Sequence, residues 1–107
     1  MATAFDVLAE PHRRRILDLL LHSEHSVNAL VEQLQLSQPA VSKHLRVLRD
    51  AGLAQTRIAA QQRLYRLRPE PLREVDLWLA PYRELWTASL DRLEHHLDVM
   101  DAPNADQ

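Results

Sequence analysis

The chain has 107 residues, 46% of them apolar, with one glycine, no cysteine and a net charge of −2. That length and apolar share predict one compact domain with a modest core, and the missing cysteines exclude disulfides, thiolate metal sites and thiol redox chemistry. No apolar run approaches the ~20 residues that a bilayer crossing requires, and the start, Met1 to Asp6, has neither the basic region nor the apolar core of a signal peptide, so a cytoplasmic protein is expected.

Residues 2–9 read as a short amphipathic segment with Phe5 and Leu8 at helical spacing. Glu10-Pro11 marks a boundary, and Pro11 suits the first turn of a helix over 11–22 with Ile16, Leu19 and Leu20 inward. Ser26 is a natural N-cap for a helix over 27–34, with Val27, Leu30, Val31 and Leu34 inward. Gln35-Leu36 makes a tight connection, and Ser37 caps a fourth helix over 38–51. Leu53–Ile58 and Arg63–Arg68 read as the strands of a hairpin. The residues between them, Ala59 to Gln62, lack the Gly, Asn or Asp that two-residue turns favour, so a loop of four residues or more is expected. Pro69 and Pro71 lead into a long last helix over 70–99, which Pro81 should kink or split. Residues 101–107 are small and polar and are expected to fray. The fold class is mostly α with a small β-hairpin, about five helices in one domain over 1–100.

Charge is unevenly placed. Residues 37–68 carry seven basic side chains against Asp50 alone, whereas the remainder carries six basic and fourteen acidic ones. Such separation points to an anion-binding face on an acidic body. At about 100° per residue, Gln38, Pro39, Ser42, Lys43, Arg46, Arg49 and Asp50 share an arc of about 140° on the fourth helix. Val41, Leu45, Val47 and Leu48 take the other side with Ala40, His44 and Ala51, so His44 is expected at the core edge with one ring nitrogen bonded. Gly52 can adopt the left-handed conformation that ends the helix, with Leu53 folding back on Leu48. A sharply bounded helix after a three-residue turn is a helix-turn-helix arrangement. There the first residues of the second helix meet base edges in the major groove. Gln38 could bond adenine, Pro39 could meet a thymine methyl, and Ser42, Lys43 and Arg46 could reach bases or phosphates, while the helix start at Ser37 favours phosphate. The competing reading is a merely solvated helix face.

The stretch LSQPAVSKHLRVLRDAGL (36–53), followed by a basic hairpin ending RLYRL (63–67) and preceded by EPHRRRILDLL (10–20), resembles the ArsR-type (ArsR/SmtB) winged-helix repressors of bacteria. The resemblance covers about residues 4–75. It implies a winged helix-turn-helix with a recognition helix at 38–51, a wing at 53–68 and a dimerisation helix at 70–99. It further implies a homodimeric repressor of an inverted-repeat operator on double-stranded DNA. Gln38, Pro39, Ser42 and Lys43 fall on the family's base-contacting positions, and Arg57 and Arg63 fall on its wing. The thiolate motif of the family is absent, and Asp76-x-Trp78 has tryptophan where another branch has a metal-binding histidine. No metal or cofactor is therefore expected, and a small-molecule effector is left open.

The last helix spaces Leu72, Val75, Leu79, Tyr82, Trp86, Leu93, Leu97 and Met100 mostly three or four residues apart, with Trp78, Leu85 and Leu90 widening the stripe. A dimer through the first and last helices is expected, using Phe5, Leu8, Val75, Trp78, Leu79, Tyr82, Trp86 and Leu93; the alternative is a helix folded onto its own domain. Trp78, Tyr82 and Trp86 could instead line a ligand pocket. Asp91, His95 and Asp98 share a helix face, and with His96 beside them they keep a metal-responsive sensor as an alternative; His22 and His25 more simply complement a helix end. Arg13, Arg14 and Arg15 are expected to pair with Asp18, Glu10 or the last helix. No Gly-rich phosphate loop, cysteine nucleophile or spaced triad supports catalysis. The remaining alternative from another class is a winged-helix module that binds protein and lacks specific DNA binding; the basic segment speaks against it.

Overall fold

The computed structural model describes residues 3–105, with side chains through Val99. The elements run α1 (Ala4–Leu8), α2 (Pro11–His22), β1 (His25–Ser26), α3 (Val27–Leu34), α4 (Gln38–Asp50), β2 (Ala54–Ala59), β3 (Gln62–Leu67) and α5 (Leu72–Ala105). Five helices and a small antiparallel sheet make the winged helix-turn-helix architecture. The sheet has three strands in the order β1-β3-β2, one more than the expected hairpin. The added strand is only His25 and Ser26, which pair with Tyr65 and Leu64.

Helix ends follow local chemistry. Glu10 caps α2 by accepting the Arg13 N–H, with Pro11 in the first turn. Ser26 accepts from Ala29 N–H at 3.1 Å and Ser37 from Ala40 N–H at 3.3 Å. Between α3 and α4, Gln35 takes the left-handed conformation (φ 58°) that closes α3 without a glycine. At the far end of α4, Gly52 N–H donates to Arg49 O and Leu53 N–H to Leu48 O, both at 2.9 Å. These two bonds form a Schellman closure, with Gly52 at φ 76°.

The core lies among α2, α3, α4 and the sheet. Ile16, Leu30, Leu45, Leu48, Leu53, Val7 and Val41 are fully buried, and Ala4, Leu17, Leu20, Leu34, Ala54 and Tyr65 complete the cluster. Burying each large aliphatic side chain contributes about 1.5–3 kcal/mol. The division of α4 follows its wheel: Val41, Leu45 and Leu48 are buried, whereas Gln38, Pro39, Ser42, Lys43, Arg46, Arg49 and Asp50 are all exposed.

Three local expectations are corrected. The wing loop is a two-residue turn, Ala60-Gln61, because Ala59 pairs with Gln62 and Ile58 with Arg63. Both turn residues have positive φ, 50° and 66°, the type I′ geometry whose twist matches the strands, imposed here on residues that do not favour it. Of the kink or split expected at Pro81, the split does not occur: α5 is continuous from Leu72 to Ala105, since a proline removes only one rung of the hydrogen-bond ladder. Among the described residues Arg13 and Arg14 bond backbone carbonyls rather than the expected acids. Arg13 donates to Val7 O at 3.1 Å and Asp6 O at 2.9 Å, and Arg14 donates to Leu8 O at 2.5 Å. Cations thus bind carbonyls of the last turn of α1, where the helix dipole favours them.

Contacts divide the chain into two units, one ending at Val75 and the other beginning at Asp76, where a single domain over 1–100 is the sequence expectation. Leu72 and Val75, in the first turns of α5, pack against the core of the first unit. The second unit is helix alone, and every described side chain from Pro81 to Val99 is exposed. The seam position Met100 and the side chains of the tail 101–107 lie outside the described residues. No helix is long and apolar enough, among the described residues, to cross a membrane.

Candidate nucleic-acid interface

Ser37 occupies the N-cap of α4, its hydroxyl engaged with the first turn. Gln38, Ser42, Lys43 and Arg46 extend from the same exposed face, and among the described residues none of their side chains forms a hydrogen bond or salt bridge. Pro39 shares that face. Arg49 continues the row. The only acid on this arc is Asp50, at the far end of the helix. The result is a row of donors and cations held by a rigid helix and left without partners among the described residues.

The wing divides its arginines. Strand alternation places Arg63 on the same sheet face as Tyr65, and Arg57, Leu64 and Arg66 on the other. Arg63 joins Gln38 in lining a cleft of about 220 Å³, with Asn28 from the first turn of α3 and Gln61 and Gln62 from the wing turn. Amide groups and one guanidinium therefore converge where the recognition-type helix begins. Arg66 is exposed. Arg57 is held by Glu24: its Nε donates to Oε2 at 2.7 Å and its Nη2 to Oε1 at 2.8 Å. That fork, with Arg57 the leading influence, keeps the Glu24 carboxyl below its usual range and raises the Arg57 guanidinium. Asn28 and Glu24 escaped the sequence reading, since Glu24 lies thirty-three residues from its partner and nothing local marks the pair.

His44 stands behind this face, half-buried as expected at the core edge, but among the described residues the expected ring hydrogen bond is not made at Nδ1. Its Nδ1 is buried without a hydrogen-bond partner, as is Nδ1 of His12, whose ring centre lies 5.9 Å away. Glu10 Oε2 is 3.9 Å from His44 Nδ1, too far for a hydrogen bond. Burial holds His44 below its ordinary value, and Glu10 opposes that shift.

The dimer candidates separate by environment. Phe5, Trp78, Tyr82, Trp86 and Leu93 are exposed large apolar residues, together with Leu85, Leu90 and Leu97 on the α5 stripe. Leu79 is half-buried. Leu8 and Val75 instead pack against the core of the first unit, because the short α1 and the start of α5 close over α2 and the sheet. The rings of Trp78 and Tyr82 are tilted against each other at 5.1 Å. Asp91, His95, His96 and Asp98 are exposed on α5, and among the described residues no group of three or more metal-ligating side chains could hold an ion.

Comparison with known proteins places this arrangement. The family model for bacterial regulatory proteins of the arsR family matches residues 10–56. The HTH-type transcriptional regulator Rv2034 of Mycobacterium tuberculosis is 42% identical over 69 residues, 64% of each chain. The arsenical resistance operon repressor of Staphylococcus xylosus is 39% identical over 70 residues, 65% of this chain and 67% of that one. The chain thus spans about two thirds or less of the length of these curated relatives. The crystal structure of ArsR family transcriptional regulator RHA00566 superposes with a TM-score of 0.65 at 31% identity, covering 81% of this chain and 97% of that one. Helix-turn-helix, wing and sequence agree, and the chain belongs to the ArsR family of bacterial regulatory proteins.

Proposed function

We propose that the protein is a sequence-specific regulator that binds double-stranded DNA as a homodimer and represses from an inverted-repeat operator. The observation that carries this is the exposed arc of α4, in which the side chains of Gln38, Ser42, Lys43 and Arg46 form no hydrogen bond or ion pair among the described residues and Gln38 shares a cleft with Arg63. Unpaired donors and cations on a rigid helix suit a surface that is itself rich in acceptors and negative charge. Gln38 has the amide to bond an adenine edge twice, Pro39 an apolar surface for a thymine methyl, and Lys43 and Arg46 the reach for guanine or phosphate. Ser37 and Ser42 suit phosphates at the helix start. Arg63 and Arg66 serve flanking phosphates from the two faces of the wing. Arg57 stands apart because Glu24 already occupies its fork.

Homodimerisation is supported by the exposed stripe of α5 with Phe5 of α1, which a second copy would remove from water. The sign of regulation follows the relative named as a repressor. Arsenical sensing through thiolates does not carry over, because this chain has no cysteine. A cytoplasmic location goes with the DNA-binding role, and no catalytic role is proposed.

Selection from a random duplex library at physiological salt tests the reading. Enrichment of an inverted repeat, with half-sites about one helical turn (~10 bp) or a multiple apart, is the expected result. Absence of any enriched sequence would sink it and favour a protein-interaction module.

A further inference from the structure

Glu24 immediately precedes β1; extending the register by one residue puts it in the row of Arg66 and Gln55, two residues along the strands from the row of Ser26, Leu64 and Arg57. Alternation puts Glu24, Arg57 and Arg66 on the same outer face, opposite Tyr65. Arg57 reaches across β3 to grip Glu24 with two parallel bonds, 2.7 and 2.8 Å, the bidentate geometry that makes arginine–carboxylate pairs strong and directional. Arg66 adds its field to the same carboxylate. We propose that Glu24 withholds Arg57 from DNA: the pair acts as a neutral unit on the wing, and Glu24 sets how strongly and how salt-dependently the protein holds any duplex. The inference rests on the DNA-binding reading and goes beyond it, since it removes one wing arginine from the contact set and gives an acidic residue a role in binding.

The physical reason is competition. A cation raises DNA affinity by replacing condensed counterions on a phosphate. Arg57 already has a fixed anion at contact distance, and bringing a phosphate to the same guanidinium would also bring it toward Glu24, where like charges repel. Arg63, on the other face, has no such competitor among the described residues, and so it stays available to a phosphate.

The test uses fluorescence anisotropy with a random-sequence duplex and the full chain, across 50–200 mM salt, on four variants beside wild type. For Glu24→Gln, freeing one cation should tighten binding about threefold or more and steepen the log–log salt slope by about 0.9. Glu24→Gln/Arg57→Gln, with no change in net charge, should bind like wild type in both affinity and slope. Arg57→Gln alone should weaken binding, because Glu24 is left uncompensated. Glu74→Gln, an exposed acid outside the wing, should leave the slope unchanged, which separates release of Arg57 from a general charge effect. Two results would overturn the proposal: an unaltered slope in Glu24→Gln, or a double variant whose slope is shallower by about 0.9, which would mean that Glu24 aims Arg57 at a phosphate instead. Melting curves on each variant confirm that folded protein is compared. If wild type itself binds no duplex at any of these salts, the DNA reading falls, and this inference with it.

Discussion

His44 Nδ1, behind the exposed face of α4, lies 3.9 Å from Glu10 Oε2 at the cap of α2, buried and without a hydrogen bond. Burial is the main cause holding the imidazole below its ordinary value of 6.5, and Arg13, His12 and Lys43 act the same way against Glu10. The unfolded chain takes up this proton near 6.5, whereas folded His44 resists it, so protonation favours unfolding. The stability contributed by neutral His44 is therefore complete above that value. It is lost as pH falls through 6.5 toward the lower folded value, below which the loss levels off. Melting temperatures from about pH 8 to about pH 5 should fall more steeply for wild type than for His44→Gln. Parallel curves would show that His44 is not the group responsible.

The wing turn stores strain. Ala60 and Gln61 both have positive φ, where a side chain costs about 1 kcal/mol or more relative to glycine. Gln61→Gly, or Ala60→Asn with Gln61→Gly, should therefore stabilise the protein by about 1 kcal/mol, a rise in Tm of roughly 4–8 °C. A lower Tm would mean that the turn relaxes out of the type I′ geometry in solution.

Gly52 sits at φ 76° at the end of α4, and a Cβ there would meet Pro71 Cγ at an ordinary 3.5 Å. The cost of Gly52→Ala is thus conformational rather than steric, about 1 kcal/mol. Thermal denaturation should show that loss while duplex affinity at a temperature well below Tm stays near wild type.

The helices were legible because their boundaries are written locally. Glu10-Pro11, Ser26, Ser37 and Gly52 each act within one turn of where they stand, and the polar and apolar arcs of α4 need only its own period. What stayed hidden depends on distant partners. The strand at His25 and Ser26 exists because β3 offers an edge some forty residues later, and the Glu24–Arg57 fork spans that same sheet. The turn at Ala60-Gln61 ran against its own residues, since strand register decided it. Arg13 and Arg14 looked like a surface cluster, yet their partners are backbone carbonyls, which leave no mark in a charge pattern.

Base reading and phosphate holding should separate within the candidate interface. Gln38→Ala should narrow the preference between cognate and altered half-sites by about 1–3 kcal/mol at one base position, with the salt slope kept. Arg63→Gln should weaken all duplexes alike and flatten the slope by about 0.9. Competition binding against single-base operator variants reads the first, and a salt titration the second. A uniform loss from Gln38→Ala would reassign that residue to the backbone.

The exposed stripe of α5 makes the strongest claim on assembly. Trp78 is 55% exposed, Trp86 51% and Leu93 54%, large apolar surfaces that water disfavours by about 25 cal/mol per Å². The core cluster of the first unit is built from residues up to Val75, so charges placed at Trp86 and Leu93 should spare it. Trp86→Glu/Leu93→Glu is expected to sediment as a monomer where wild type is a dimer. It should keep the cooperative melting of the helix-turn-helix unit and lose affinity for an inverted repeat far more than for a single half-site, because two linked half-sites bind with an effective concentration that one cannot supply. A variant that remains dimeric would move the interface away from α5, toward α1 and Phe5; one that melts with the first unit would mean that the stripe serves that core instead of a second copy.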